Sequence, residues 1–301
     1  MIKNRIDVIT LGCSKNLVDS EVMLGIIEKY HIEITNDPEA AEIIIVNTCG
    51  FIESAKQESI DTILSMSAYK TEGCCRYLIV TGCLAQRYGD ALKEEMPEID
   101  ALVGVSQCER IVEALDKALR GEHPDFRARH NEMLECGRVL TTPKHSAYIR
   151  IGEGCDNCCS YCAIPLIRGG YRSRPKADII AEVKRLVSEG VKEFTLIAQD
   201  TTRYGLDLYG EYSLAKLLEK LLKATKTVRY RLLYCYPDKI TDELCDVIAQ
   251  NDRIIKYIDI PIQHVVGKIL KRMNRHGGEE AVRSAIKKLR ERIPGITLRS
   301  T

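Results

Sequence analysis

No stretch of the sequence approaches the roughly 18 to 20 uninterrupted apolar residues of a membrane helix, so no helical span is expected. A secretory leader is missing as well. Residues 1–10 carry charge at Lys3, Arg5 and Asp7 and run into a strand-like segment, without a long apolar region or a small-residue cleavage site. Charge of one sign is also lacking: the formal balance is +1, whereas a dedicated nucleic-acid surface carries a strong basic excess or stripe. There is thus no direct nucleic-acid signal, and the local cluster Lys268, Lys271, Arg272 and Arg275 reads as a solvated helix face. Internal repeats and low-complexity tracts are absent, and Gly152-x-Gly154 lacks the third glycine of a dinucleotide fingerprint. A hydrophobic fraction of 45% with 29% charge excludes disorder. What remains is a cytoplasmic globular chain, with no membrane partner, whose 301 residues suffice for two domains of ordinary size.

Cysteine is the outlier, at thirteen residues. An odd number without a leader does not suit a disulfide framework, and a reducing cytosol leaves thiols free to bind metal or do redox chemistry.

The first half alternates strands with helices. Strands are predicted at 6–11, 43–46, 77–80 and 101–105, with helices over 19–30, from Ser54, over about 89–95 and over 109–119. Such alternation implies an α/β fold, a doubly wound parallel sheet with helices on both faces. Three strands are followed by a cysteine within a few residues, namely Cys13, Cys49 and Cys83. The carboxyl ends of strands in open α/β sheets line one crevice, so these three are expected to converge on a shared metal site. The alternative is that each is a small buried hydrophobe.

Residues 123–144 are polar and broken by Pro124, Gly137 and Pro143, and read as a linker between a domain over 1–122 and another over 145–301. The second domain predicts strands at 148–151, 194–198, 229–233, 257–260 and 296–298, with helices over 177–189, 214–222, 242–249 and 279–292. This is a partial (β/α) barrel series. Its closing strand would be an open edge, so the barrel reads as truncated.

Directly after the first of these strands, Cys155, Cys158, Cys159 and Cys162 fall within eight residues. A zinc knuckle would need two C-x-x-C pairs with a loop of a dozen residues or so between them; here the pairs abut. The spacing C-x-x-x-C-x-x-C instead takes Cys155, Cys159 and Cys162 as thiolates on three irons of a [4Fe–4S] cluster whose fourth iron is open, with Cys158 incidental. Gln199-Asp200-Thr201-Thr202 follows the next strand, where barrels place functional loops; cofactor contact and a capped helix-start turn are both open readings. Arg172 and Arg174 either recognise a carboxylate or serve the surface. Cys74, Cys75, Cys108, Cys136, Cys235 and Cys245 show no ligand spacing and read as ordinary thiols, and no side chain is assigned as a catalytic acid, base or nucleophile.

The motif Cys155-Asp156-Asn157-Cys158-Cys159-Ser160-Tyr161-Cys162 resembles the radical S-adenosylmethionine superfamily. Leu11-Gly12-Cys13-Ser14-Lys15-Asn16, Asn47-Thr48-Cys49-Gly50-Phe51-Ile52 and Thr81-Gly82-Cys83-Leu84-Ala85-Gln86-Arg87 resemble the three N-terminal cysteine segments of its methylthiotransferases. Cys13-Ser14-Lys15-Asn16, Ile164-Pro165-Leu166-Ile167-Arg168-Gly169, Tyr171-Arg172-Ser173-Arg174 and Pro261-Ile262-Gln263-His264 are similar to the branch that modifies a ribosomal protein rather than to the transfer-RNA branch. The resemblance implies an auxiliary [4Fe–4S] cluster on Cys13, Cys49 and Cys83 and a radical cluster on Cys155, Cys159 and Cys162. It further implies S-adenosylmethionine as cofactor, with Tyr161 near its adenine; on the strand-end reading above, Gln199 and Asp200 are the candidate contacts to it. The implied reaction is methylthiolation of the β-carbon of an aspartate in the twelfth small-subunit ribosomal protein, with an electron donor such as flavodoxin or ferredoxin. A radical suits that task, because this β-hydrogen is too weakly acidic for an ordinary side-chain base near neutral pH. Family members add further barrel strands and a C-terminal β-barrel domain for substrate binding, which this sequence lacks. Two rivals stand beside this reading: a transfer-RNA methylthiotransferase, and a non-catalytic two-cluster electron carrier, which would use four cysteines per cluster rather than three.

Overall fold

The computed structural model describes residues 5–128 and 137–301. The chain divides into two compact units, Met1–Thr141 with Leu166–Arg168, and Thr142–Pro165 with Gly169–Thr301.

The first unit is built on strands β1 (Arg5–Thr10), β2 (Glu33–Thr35), β3 (Ile43–Thr48), β4 (Tyr77–Gly82), β5 (Ala101–Val103) and β6 (Asp125–Phe126). They form one sheet in the order β2-β1-β3-β4-β5-β6, and every ladder is parallel. Strand β3 is buried along its whole length. Side chains alternate across a strand, so Ile43 and Ile45 pack with Met23, Ile27 and Ile111, while Ile44 and Val46 pack with Ile63, Leu84 and Leu92 on the other face. Helices Ser14–Lys29 and Ile111–Leu119 therefore cover one side, and Glu53–Ser67 and Cys83–Glu95 the other. A parallel sheet buried on both faces demands such continuous apolar runs.

Two helices begin earlier than apolar periodicity predicts. The first starts at Ser14, because its opening turns bury Lys15, Asn16, Asp19, Ser20 and Glu21, polar residues that a hydrophobic pattern discards. Another starts at Cys83 and is broken at Tyr88 (φ −124°), so only its second segment carries the expected signal. Strands β2 and β6 are too short to show a period, and β6 lies within the stretch read as a linker, where it extends the sheet beside β5.

The second unit contains β7 (Ser146–Arg150), β8 (Gly152–Glu153), β9 (Arg172–Ser173), β10 (Glu193–Ile197), β11 (Arg229–Leu232), β12 (Ile254–Asp259) and β13 (Thr297–Arg299). Five of these form a parallel sheet in the order β13-β12-β11-β10-β7, the partial barrel series expected. Its inner residues Ile149, Phe194, Leu196, Tyr230, Leu232 and Ile258 are buried together with Ile179, Val183, Leu217, Leu221 and Ile248 of the crossover helices. Phe194 and Tyr230 stack across β10 and β11 with centroids 5.9 Å apart. The short antiparallel pair β8–β9 was not anticipated; it closes the base of the loop that carries the clustered cysteines. Among the described residues no helix is long and apolar enough to cross a membrane.

Gly82, at the end of β4, holds φ 94° and ψ −158°, a region open essentially to glycine alone. A Cβ there would lie 2.4 Å from the Thr48 carbonyl oxygen. Gly82→Ala is expected to cost about 3 kcal/mol or more, read as a fall in the urea midpoint of the purified chain.

Candidate functional site

In the first unit the cysteines sit where strands hand over to helices. Cys13 is the N-cap of Ser14–Lys29, Cys83 opens Cys83–Glu95, and Cys49 lies between β3 and Glu53–Ser67. Helix N-termini carry unpaired N–H groups and partial positive charge, a setting that favours thiolate. Ser59 clamps Cys49, accepting from its backbone N–H at 3.0 Å and donating to its carbonyl at 2.9 Å. Asn16 ties two of the loops together, donating to the carbonyls of Leu11 (3.0 Å) and Thr48 (2.9 Å) and accepting from the Asn47 amide at its own carbonyl (2.8 Å). At Gly12, φ 90°, a Cβ would stand 2.8 Å from that of Cys49, so glycine is what lets the Cys13 loop lie against Cys49. Asn16 Oδ1 is 3.6 Å from Cys83 Sγ. The structure thus brings Cys13, Cys49 and Cys83 to one edge, from positions far apart in sequence.

The three thiols differ electrostatically. Burial would push Cys13 up, but Lys15, Arg168 and the N–H groups of residues 15 and 16 outweigh it, and its pKa falls below the usual thiol value. Burial pushes Cys49 up, reinforced by Cys13 and opposed by the Phe51 N–H and Arg168. Cys83 is pushed up to about 11 by burial, against the pull of Arg168.

In the second unit the loop after β8 presents Cys155, Cys159 and Cys162. Backbone N–H groups of Asn157 and Ile164 point at the sulfurs of Cys155 and Cys162, each at 3.5 Å. Two side chains from distant sequence flank Cys159 Sγ: the Tyr236 hydroxyl at 3.5 Å and Arg275 Nη1 at 3.7 Å, the guanidinium also lying 4.0 Å from the Tyr236 ring centroid. Lys268, Lys271 and Arg272 are exposed as expected, but Arg275 turns inward to the thiol. Burial raises Cys155 to about 11, assisted by Asp200 and the neighbouring thiols and opposed by the Asn157 N–H. Tyr161 is exposed beside them.

A polar network holds this loop from beneath. Asp200 is fully buried; its Oδ2 accepts from Lys239 Nζ (2.7 Å) and Asn157 Nδ2 (2.9 Å), and its Oδ1 from Thr202 (2.6 Å). Lys239 also donates to Asn157 Oδ1 at 2.9 Å. Gln199 donates to Glu153 at 2.7 Å, while its own Oε1 is buried without a hydrogen-bond partner. Arg174 is buried rather than superficial, donating to Glu182 and to the Arg150 carbonyl, and Arg172 donates to the Gly170 carbonyl. Cys158 is exposed with φ 51° and its carbonyl accepts from Asn274. Cys75, Cys108, Cys235 and Cys245 are buried, Cys74 is exposed, and Cys136 lies outside the described residues. Among the described residues no three His, Cys, Asp or Glu side chains close on one point as ligands of a single ion. Thiolates bonded to separate irons of a cluster need no such closure, and all-sulfur donor sets suit iron–sulfur chemistry.

Sequence reading did not single out Asn157, Lys239, Tyr236, Arg275 or Arg168 as site residues. No local spacing signals them, since each reaches its thiol or network partner through the tertiary fold.

The first 100 or so residues match the model of an uncharacterized protein family, UPF0004, over residues 5–104, and the Radical SAM superfamily matches residues 149–301. The ribosomal protein uS12 methylthiotransferase RimO of Clostridium tetani is 51% identical over all of this chain, which spans 68% of that relative's length. The enzyme of the same name from Desulforamulus reducens is 52% identical over 98% of the chain and 67% of its own length. The chain belongs to the RimO methylthiotransferase family. Membership makes it a radical S-adenosylmethionine enzyme that uses an iron–sulfur cluster. Of solved structures, a radical S-adenosylmethionine methyltransferase from Kitasatospora setae, TsrM, aligns over 99% of this RimO-family chain and 66% of its own, with a TM-score of 0.67 at 13% identity, a likeness of fold.

Two outcomes test the geometry. In metal-free protein near pH 8, iodoacetamide should alkylate Cys13 well before Cys83, because only the former has its pKa lowered; mass mapping of modified peptides reads the order. Lys239→Met strands the Asp200 carboxylate in the interior and is expected to cost about 3–5 kcal/mol in urea unfolding, with Asp200→Asn in the same chain recovering part of it.

Proposed function

We propose that this chain methylthiolates the β-carbon of an aspartate of ribosomal protein uS12, using two [4Fe–4S] clusters. In this reading residues 1–122 carry the auxiliary cluster on Cys13, Cys49 and Cys83, and residues 145–301 the radical cluster on Cys155, Cys159 and Cys162. The observation that carries it is the pair of thiol trios, each grouped by its own unit around an all-sulfur donor set, on a chain of this family. With a cluster held by Cys155, Cys159 and Cys162 and S-adenosylmethionine bound beside it, the site would supply radical chemistry on reduction by a donor such as flavodoxin or ferredoxin, and a cluster held by Cys13, Cys49 and Cys83 would supply the sulfur.

The chain's own residues position that chemistry. Asp200 and Lys239 fix Asn157, and with it the cysteine loop, from a site shut off from water. Gln199 offers an unpaired buried oxygen as acceptor for the cofactor's ammonium group. In this reading Asp200 serves the cofactor through the loop it holds, and exposed Tyr161 covers the adenine. N–H groups at Cys155 and Cys162 and the donors beside Cys159 stabilise sulfur in the electron-rich state. The site of action is the cytoplasm, where the ribosomal substrate and a reducing milieu coincide.

Anaerobic reconstitution should load about eight irons per chain, from four per cluster. Cys49→Ala should halve that count and abolish methylthio transfer to a uS12 peptide while deoxyadenosine is still released; Cys159→Ala should abolish both activities. Mass spectrometry of the peptide and of transfer RNA separates the substrates. A methylthio group found only on transfer-RNA adenosine, or about one zinc and no iron per chain, overturns the proposal.

A further inference from the structure

The reaction set out above gives no task to Arg168, yet its guanidinium is built into the first unit's thiol group. Leu166–Arg168 pack with that unit although they follow Cys162 in sequence. The Arg168 side chain is 2% exposed and that of its partner Asp19 3%. Arg168 Nη2 donates to Asp19 Oδ2 at 2.9 Å and to Asn16 Oδ1 at 2.8 Å, and lies 3.9 Å from Cys83 Sγ. It acts electrostatically on Cys13 and Cys49 as well. If packing were its only purpose, an apolar residue would fill the space without the several kcal/mol that burying each ion costs.

Loading the site gives this geometry a use. The Cys83 thiol can donate to Asn16 Oδ1, 3.6 Å away. Cluster binding removes that proton, after which the Asn16 oxygen faces a bare anionic sulfur and the neighbouring guanidinium N–H is the donor at hand. We propose that Arg168 is a positioning residue of the auxiliary cluster, donating a hydrogen bond to the cluster-bound sulfur of Cys83 and raising the cluster's reduction potential, with Asp19 setting how much of its charge the sulfur feels. Hydrogen bonds and positive charge at the sulfurs favour the reduced, more negative state. The proposal rests on the two-cluster reading.

The test uses the full chain with Cys155, Cys159 and Cys162 replaced by alanine, so that the auxiliary cluster is observed alone, in EPR-monitored redox titrations with an iron count on each sample. Arg168→Gln should lower the reduced-to-oxidised ratio at a given potential about tenfold, a shift of about 59 mV for one electron. Arg168→Lys should give a smaller shift of the same sign, and Asp19→Asn a shift of the opposite sign. If Arg168→Gln fails to load, the lysine and asparagine variants carry the test. Unchanged potentials in loaded variants, or Arg168 and Asp19 variants shifting in the same direction, overturn the role of Arg168 alone. A triple-alanine chain that takes up no iron overturns the two-cluster reading, and the role of Arg168 with it.

Discussion

Parallel strand pairing is the constraint on which the first unit's chemistry depends. When every strand of a sheet runs the same way, every carboxyl end emerges at one edge and every following helix begins there. Cys13, Cys49 and Cys83 occupy three such handovers, on β1, β3 and β4, which are neighbours in the sheet. The order β1-β3-β4 thus turns separations of some thirty-five residues into spatial adjacency, and the helix N-termini supply the positive environment that thiolates need. Gly12 and Gly82 are the local concessions, because only a residue without a side chain lets these loops come so close.

The second unit solves the same problem differently. Its cysteines are adjacent in sequence, so no topology is required to assemble them, but a loop of this kind has few backbone partners of its own. The buried Asp200–Lys239 pair, bonded through Asn157, supplies the missing rigidity from beneath. Burying an ion pair is a poor source of stability but an exacting one, since either partner left alone is strongly penalised. It therefore holds Asn157, and the cysteines on either side of it, in one place. Tyr236 and Arg275 complete the surroundings of Cys159.

Much of this was legible in the amino-acid order. Most apolar strand segments are legible to within a residue or two, because parallel strands buried on both faces need unbroken runs of isoleucine, leucine and valine; β12 starts three residues before the expected 257, at Ile254. What escaped detection escaped for identifiable reasons. The first helix hides its start behind buried polar residues: Asn16 and Asp19, which bond to Arg168 beside the thiols, Lys15 next to Cys13, and Glu21, which pairs with Arg138. Strands β2 and β6 are held by their neighbours rather than by any period of their own.

The sequence by itself determined the strand–helix alternation, the cysteine spacing at Cys155, Cys159 and Cys162, and the family resemblance, because each is encoded over a few consecutive residues. Only the tertiary structure decided that Asp200 serves as a buried anchor, that Arg174 is interior, and that Arg168 and Arg275 reach thiols far from them in the chain. Long side chains carry charge over distances that no local pattern records, and where an arginine points depends on which carboxylates and sulfurs the fold has already gathered around it.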